Sequence, residues 1–225
     1  MNSKLITFSG IDGAGKSTQI DHLMHSLRER QQPFIYLWSR GGYTSWFDFL
    51  KSLIRKVSGK AAPAPGHSSE RDKMLGHGMI GRVWLFLAIL DLMRLYGVVV
   101  RWHRLVGRVV LCDRYLWDTL IDFKINFPAI NVELWFIWHL LERLCPVPDL
   151  AFFLYIPLTV SEERSLEKGD PFPEPIEKRA RRHDLYMEIE KTRAKWYVID
   201  GLKPVKEISN QIWETFCMRE RHRFK

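Results

Sequence analysis

Five short apolar runs punctuate the chain, at residues 5–8, 34–38, 109–112, 150–156 and 196–199. Most are bounded by Gly, Pro or polar residues, and all are too short for a stable helix, so each reads as a strand. The run Val109-Val110-Leu111-Cys112 does not alternate with polar residues at all. That continuity marks a parallel strand covered on both faces. Between the runs, apolar positions recur at spacings of three and four. Ile20, Leu23, Met24 and Leu27 predict a helix over about 15–30, stopped by Gln31-Gln32-Pro33. The same periodicity predicts helices over 46–57, about 78–105, about 118–126, 132–144 and 205–217. Strands that alternate with helices in this way predict a three-layer α/β fold. Its sheet is mostly parallel and five-stranded, with helices on both faces.

Two stretches break the pattern. Residues 58–73 hold Pro63, Pro65, two glycines and three serines, the composition of a mobile loop, either a substrate-responsive flap or an insertion. Residues 162–182 form two helical pieces around Gly169-Asp170-Pro171-Phe172-Pro173 and carry Arg164, Lys168, Lys178, Arg179, Arg181 and Arg182. They read as a basic lid or as a solvated charged helix pair. Thr159, with Glu162 three residues on, is placed as the N-cap of the first piece.

Composition narrows the function. At 225 residues, the chain is expected to be one domain over 1–225. A net charge of +8 favours anionic partners. Part of that excess is a tail of Arg219, Arg221, Arg223 and Lys225, read as a solvated helix end. No nucleic-acid recognition motif is present, so none is expected as a partner. Cys112, Cys145 and Cys217 are scattered and odd in number, which suits a reducing, cytoplasmic setting. No secretory leader is expected. Residues 83–100 are apolar enough to span a bilayer, but Asp91 and Arg94 lie within them. Each costs roughly 2.5–3.5 kcal/mol at a membrane centre, so a buried amphipathic helix of a soluble protein is expected instead. Asp91 and Arg94 share a helical face with Trp84 and Leu87, either as a structural pair or as part of a polar pocket.

The chemistry is concentrated at residues 10–17, which fit G-x-x-x-x-G-K-[ST] between a strand and a helix. Glycines Gly10, Gly13 and Gly15 let the backbone point its N–H groups at phosphate oxygens. The new helix adds its positive dipole end. In this nucleotide-binding loop of Gly10, Asp12, Gly13, Ala14, Gly15, Lys16, Ser17 and Thr18, Lys16 supplies charge for the β- and γ-phosphates and Ser17 a hydroxyl for Mg²⁺. Asp113, at the end of an apolar strand, is the expected second Mg²⁺ partner, with Arg114 beside the phosphates. Arg40 ends the second strand, either toward the same crevice or as a surface arginine.

Phe8-Ser9-Gly10-Ile11-Asp12-Gly13-Ala14-Gly15-Lys16-Ser17-Thr18, then Asp113-Arg114-Tyr115, then the basic lid and Val198-Ile199-Asp200, resemble in order the thymidylate kinases. These are P-loop nucleoside monophosphate kinases with a helical lid. The resemblance implies ATP- and Mg²⁺-dependent phosphoryl transfer to a small-molecule acceptor, dTMP to dTDP foremost. A different or non-nucleotide acceptor, or a nucleotide-binding module with little turnover, stands as the alternative. It implies that Arg114 and Arg40 hold the acceptor phosphate and that Asp12 meets the acceptor sugar. Some members carry an arginine where this chain has Gly13; others supply it from the lid, for which Arg164, Arg179 and Arg182 are the candidates. The family's thymine-holding aromatic and arginine fall at Ala88 and Leu92, leaving Trp84, Asp91 and Arg94 as candidates for that role. Asp118 and Asp122 also replace the small polar residues expected there. Members are commonly homodimers, and the aromatic helix around Trp135, Phe136 and Trp138 would suit a dimer face.

Overall fold

The computed structural model describes residues 3–39, 79–167 and 174–221. Arg40, the helix expected at 46–57, the loop at 58–73 and the lid tip at 168–173 lie outside the described residues. Five strands form one parallel sheet: β1 (Leu5–Ser9), β2 (Phe34–Trp38), β3 (Val109–Asp113), β4 (Leu150–Tyr155) and β5 (Tyr197–Asp200). Their spatial order is β2-β3-β1-β4-β5. β1 and β3 lie at the centre and are buried at every residue. Phe8 pairs with Asp113, so the two central strands end together. Both loops after them therefore open on the same edge of the sheet, where ligands of open α/β folds gather.

The helices are α1 (Lys16–Glu29), α2 (Met79–Arg94), α3 (Arg101–Leu105), α4 (Leu116–Asn126), α5 (Phe136–Leu144), α6 (Leu158–Glu167), α7 (Ile176–Thr192) and α8 (Val205–Arg221). α1 and α8 pack together. Gln19 Nε2 donates to Val205 O at 3.2 Å and its Oε1 accepts from Ser209 Oγ at 2.8 Å. Lys4, fully buried, donates to Phe216 O at 2.9 Å and lies 4.1 Å over the Phe216 ring, tying β1 to the same helix.

Three local expectations are corrected. The long helix is not uniform: Leu95–Val100 is a π-helical turn between α2 and α3. Gly97 there lies close to Leu144 of α5, and Tyr96 is buried with its hydroxyl 2.7 Å from Ser39 Oγ, so packing sets the register of that turn. The helix expected over 132–144 is split. Val132–Leu134 is a 3-10 turn capped by Asn131, Trp135 is extended, and α5 starts at Phe136. Thr159 does not cap a helix, because α6 already begins at Leu158.

The continuous helix from Gly81 to Leu105 is long and apolar enough to cross a membrane by length and composition. Leu85, Ala88, Ile89 and Leu92 are fully buried in the core. Val83, Phe86, Leu90, Val98, Trp102 and Leu105 remain exposed, so the helix keeps an open apolar stripe rather than being enclosed.

Candidate active site

The loop between β1 and α1 turns on glycine. Gly10, Gly13 and Gly15 have φ of 141°, 84° and 88°. A Cβ on Gly10 would stand 2.6 Å from Leu154 O, so neither its conformation nor its neighbours admit a side chain. No side chain caps the start of α1, and no acidic residue lies in its first turn. Its amides and its positive dipole end are therefore available to an anion. Lys16 is 7% exposed and folds back into the loop, donating to Gly10 O at 2.8 Å and Ile11 O at 3.0 Å. Burial, with the Arg114 guanidinium second, lowers its pKa to about 8, against the opposing pull of Asp12, Asp113 and Asp118. Ser17 and Thr18 are exposed at the first turn of α1.

Asp113 ends β3 beside this loop. Its Oδ2 accepts from Tyr36 on β2 at 3.2 Å, while its buried Oδ1 has no hydrogen-bond partner among the described residues. A buried, unpaired carboxylate oxygen fits a cation or its bound water. No cluster of three or more His, Cys, Asp or Glu suited to a metal occurs among the described residues. That donor set suits Mg²⁺, which is commonly held by one or two protein oxygens and by substrate phosphates, better than a dedicated cage. Burial, with the Asp113 charge second, pushes the Tyr36 hydroxyl up to about 12, so it stays a donor to Asp113.

Arg114 follows with φ 72° and is almost fully buried. Its Nη2 donates to Asp12 Oδ1 at 2.7 Å and its Nη1 to the Tyr186 hydroxyl at 3.5 Å. Burial opposes its charge, but Tyr186, Asp12 and Asp122 together hold its pKa above the ordinary arginine value. Asp118 accepts from Ser9 Oγ at 2.7 Å, from Tyr115 N at 2.9 Å and from Tyr186 at 2.6 Å. Burial raises its pKa, opposed by Arg114 and by these donors.

The lid arginines divide. Arg164 of α6 reaches the P-loop: Nη1 donates to Gly13 O at 3.0 Å and Nη2 to Gly201 O at 3.2 Å. Ser161, one turn earlier, donates to Asp12 O at 2.6 Å. A Cβ on Gly13 would meet Ser161 O at 3.3 Å and Arg164 Cβ at 3.4 Å. Space for a side chain at position 13 is thus taken by the arginine from α6. Arg179 and Arg182 are not brought to the loop. Arg179 is buried, donating to Ser161 O at 3.2 Å and Ser165 Oγ at 3.1 Å. Arg182 pairs with Asp122 at 2.6 Å and with Glu174 at 2.8 Å. Arg179 thus bridges α7 to α6, and Arg182 bridges α7 to α4.

On α2, Asp91 is buried and pairs with the half-exposed Arg94 at 3.0 Å. Ala88 and Leu92 are fully buried in the core and offer no surface to a ligand. Of the aromatic trio around α5, Trp138 is fully buried and Trp135 half-buried; only Phe136 is exposed. A separate cavity of about 720 Å³ lies between α4 and the N-terminal ends of β4 and β5, beside Trp117, Pro146 and Trp196. It shares Ser9 and Asp118 with the site but not the P-loop. Sequence reasoning missed Tyr36, Ser161 and Tyr186 as contributors. Ser161 and Arg164 sit at i and i+3, which was the available signal for a helix face turned to the loop.

The family model for thymidylate kinase matches residues 99–212. A thymidylate kinase of Fervidobacterium nodosum is 25% identical over 219 residues, covering 94% of this chain and 97% of that protein. Thymidylate kinases of Thermosipho melanesiensis and Thermosipho africanus are 28% and 26% identical over 215 residues, each covering 92% of this chain and 94% of theirs.

Proposed function

The chain belongs to the thymidylate kinase family, and on that footing we propose that it transfers the γ-phosphoryl group of ATP to dTMP, giving dTDP and ADP. The observation that carries this reading is the convergence of three cations on one loop. Lys16 lies within the loop, Arg164 is laid across Gly13, and Arg114 is bound to Asp12. Phosphoryl transfer asks a protein for positioning and for charge that matches the transferring group, and little else.

In this reading, the amides of residues 10–17 and Lys16 hold the ATP phosphates. The Gly10 and Ile11 carbonyls that Lys16 now meets give way to phosphate oxygens. Ser17 and Asp113 would hold Mg²⁺, which would neutralise phosphate charge. Arg164 supplies the cation that other members place on the P-loop. Arg114 receives the acceptor phosphate by exchanging its Asp12 partner for phosphate oxygens, and Asp12 is released toward the acceptor sugar. Arg40 is retained as a second acceptor-phosphate ligand. The half-buried Trp84 and Arg94 of α2 take over thymine from the buried Ala88 and Leu92. Arg179 and Arg182 hold the lid helices in place.

The exposed Val83, Phe86 and Leu90, at i, i+3 and i+7, are proposed as the face on which a second copy of the chain sits. The free thiols of Cys112, Cys145 and Cys217 suit the reducing cytoplasm. The test is ADP release from Mg·ATP with dTMP against other nucleoside monophosphates. Acceptor-dependent release is expected with dTMP. ATP binding with no release for any nucleotide would overturn the reading.

A further inference from the structure

Behind Arg114 lies a polar frame that the P-loop chemistry does not require. Asp118 and Asp122 are one turn apart on α4, and Arg182 and Tyr186 are one turn apart on α7. They meet in two rungs, Tyr186 to Asp118 at 2.6 Å and Arg182 to Asp122 at 2.6 Å. All four side chains are buried. One rung continues to Arg114, whose Nη1 reaches the Tyr186 hydroxyl.

The direction of these bonds is determined by the donors available. Ser9 Oγ and the Tyr115 amide both donate to Asp118 Oδ2, and the Tyr186 hydroxyl donates to Oδ1. The single Tyr186 proton is therefore committed to Asp118 Oδ1. Its oxygen lone pairs are left facing Arg114, which can only donate. We propose that Tyr186 and Asp118 are positioning residues that set the plane of the Arg114 guanidinium for the acceptor phosphate and tie it to the lid helix α7. This rests on the reading of Arg114 as the acceptor-phosphate ligand. A planar guanidinium binds phosphate through a fork of two parallel donors, so a rotation about its Cζ–Nε bond removes the match. In the free protein Asp12 holds the edge of the fork that it yields to phosphate, and Tyr186 holds the other. The Arg114–Tyr186 distance of 3.5 Å is the loosest link. Contacts of this kind commonly tighten when the ligand is bound.

The frame also ties Arg114 to the lid. Glu174, just before α7, pairs with Arg182, whose other partner is Asp122 on α4. Motion of α7 relative to α4 therefore disturbs both rungs, and with them the guanidinium.

The test is Tyr186→Phe, which deletes one hydroxyl and keeps the ring stacked 5.4 Å from Phe153. Two readouts are needed. The first is the ¹⁵N spectrum of the Arg114 guanidinium in the free protein, assigned by its loss in Arg114→Lys. Restricted Cζ–Nε rotation is expected in the parent and averaged Nη signals in Tyr186→Phe. The second is steady-state kinetics: KM for dTMP should rise roughly tenfold, as for loss of a hydrogen bond to a charged group, with KM for ATP unchanged. An unaltered Arg114 spectrum overturns the proposal. So does a spectrum that changes while the two KM values move together. If the parent protein does not turn over dTMP, the functional reading fails separately, and the nitrogen spectrum alone decides the positioning role. Asp118→Asn, which removes the charge but not the volume, gives a second variant with the same two expected shifts.

Discussion

Lys16 combines burial with a neighbouring cation, and both act against its charge. With its pKa near 8, the free lysine loses its proton within an accessible pH range. Nucleotide phosphates need the charged form. ATP affinity should be highest below pH 8 and weaken by up to about tenfold per pH unit above it, until the pKa of the bound state is reached. Calorimetric titration of ATP between pH 6.5 and 9.5 would measure this, and a flat profile would contradict it. Arg164 makes a second residue-level prediction. Its truncation to Ala should lower kcat by roughly 10²–10³, the usual cost of one charge-stabilising donor, while the protein stays folded because the side chain is at the surface of the loop. A loss confined to KM for dTMP would assign Arg164 elsewhere. These residues differ in how legible they were. Lys16, Ser17 and Asp113 follow from spacing alone, because a P-loop constrains backbone and side chains together. Arg164 could not be separated from Arg179 and Arg182 by sequence, since all three are basic residues on lid helices. Their partners separate them: Arg164 meets backbone carbonyls of Gly13 and Gly201, whereas Arg182 meets carboxylates.

Helices α4 and α7 carry a buried ion pair whose halves are 60 residues apart in sequence. Among the described residues, Asp122→Ala would leave the buried Arg182 charge with Glu174 as its one carboxylate partner. Removing one partner of such a pair costs about 3–5 kcal/mol. The melting temperature should fall by roughly 10 °C for a chain of this size, and a loss under 2 °C would show that the pair adds little. No sequence pattern announces this contact, because Asp122 reads as a polar position on a helix and Arg182 as a solvated lid residue. The strands, by contrast, were legible to within a residue or two. Their apolar runs are short and bounded, and a parallel sheet covered on both faces demands that composition. The helix ends were less so. The start of α6 at Leu158 and the extended Trp135 depend on what the chain packs against rather than on local caps. The π-helical turn at Leu95–Val100 is of the same kind, since it follows from contacts at Gly97 and Tyr96 rather than from propensity.

At the scale of the whole molecule, β1 and β3 set the site by ending side by side, and α6 brings the Arg164 cation to it from sequence far downstream. The parallel sheet and its helices were readable from alternating periodicities. The open stripe on the long helix was not, because an apolar helix reads as buried until its neighbours are placed. If that stripe holds a second copy, Phe86→Glu should convert a dimer to a monomer in sedimentation velocity without loss of fold. A monomeric parent protein would remove the proposed face. A phosphate-binding half shared with the thymidylate kinases serves dTMP here, although Ala88 and Leu92 are buried where that family holds thymine. The most direct measurement is ADP production from Mg·ATP with dTMP, dUMP and the common nucleoside monophosphates offered singly. Turnover is expected to be strongest with dTMP and to be abolished in Lys16→Ala. ATP binding without acceptor-dependent turnover, or turnover that survives in Lys16→Ala, would contradict it.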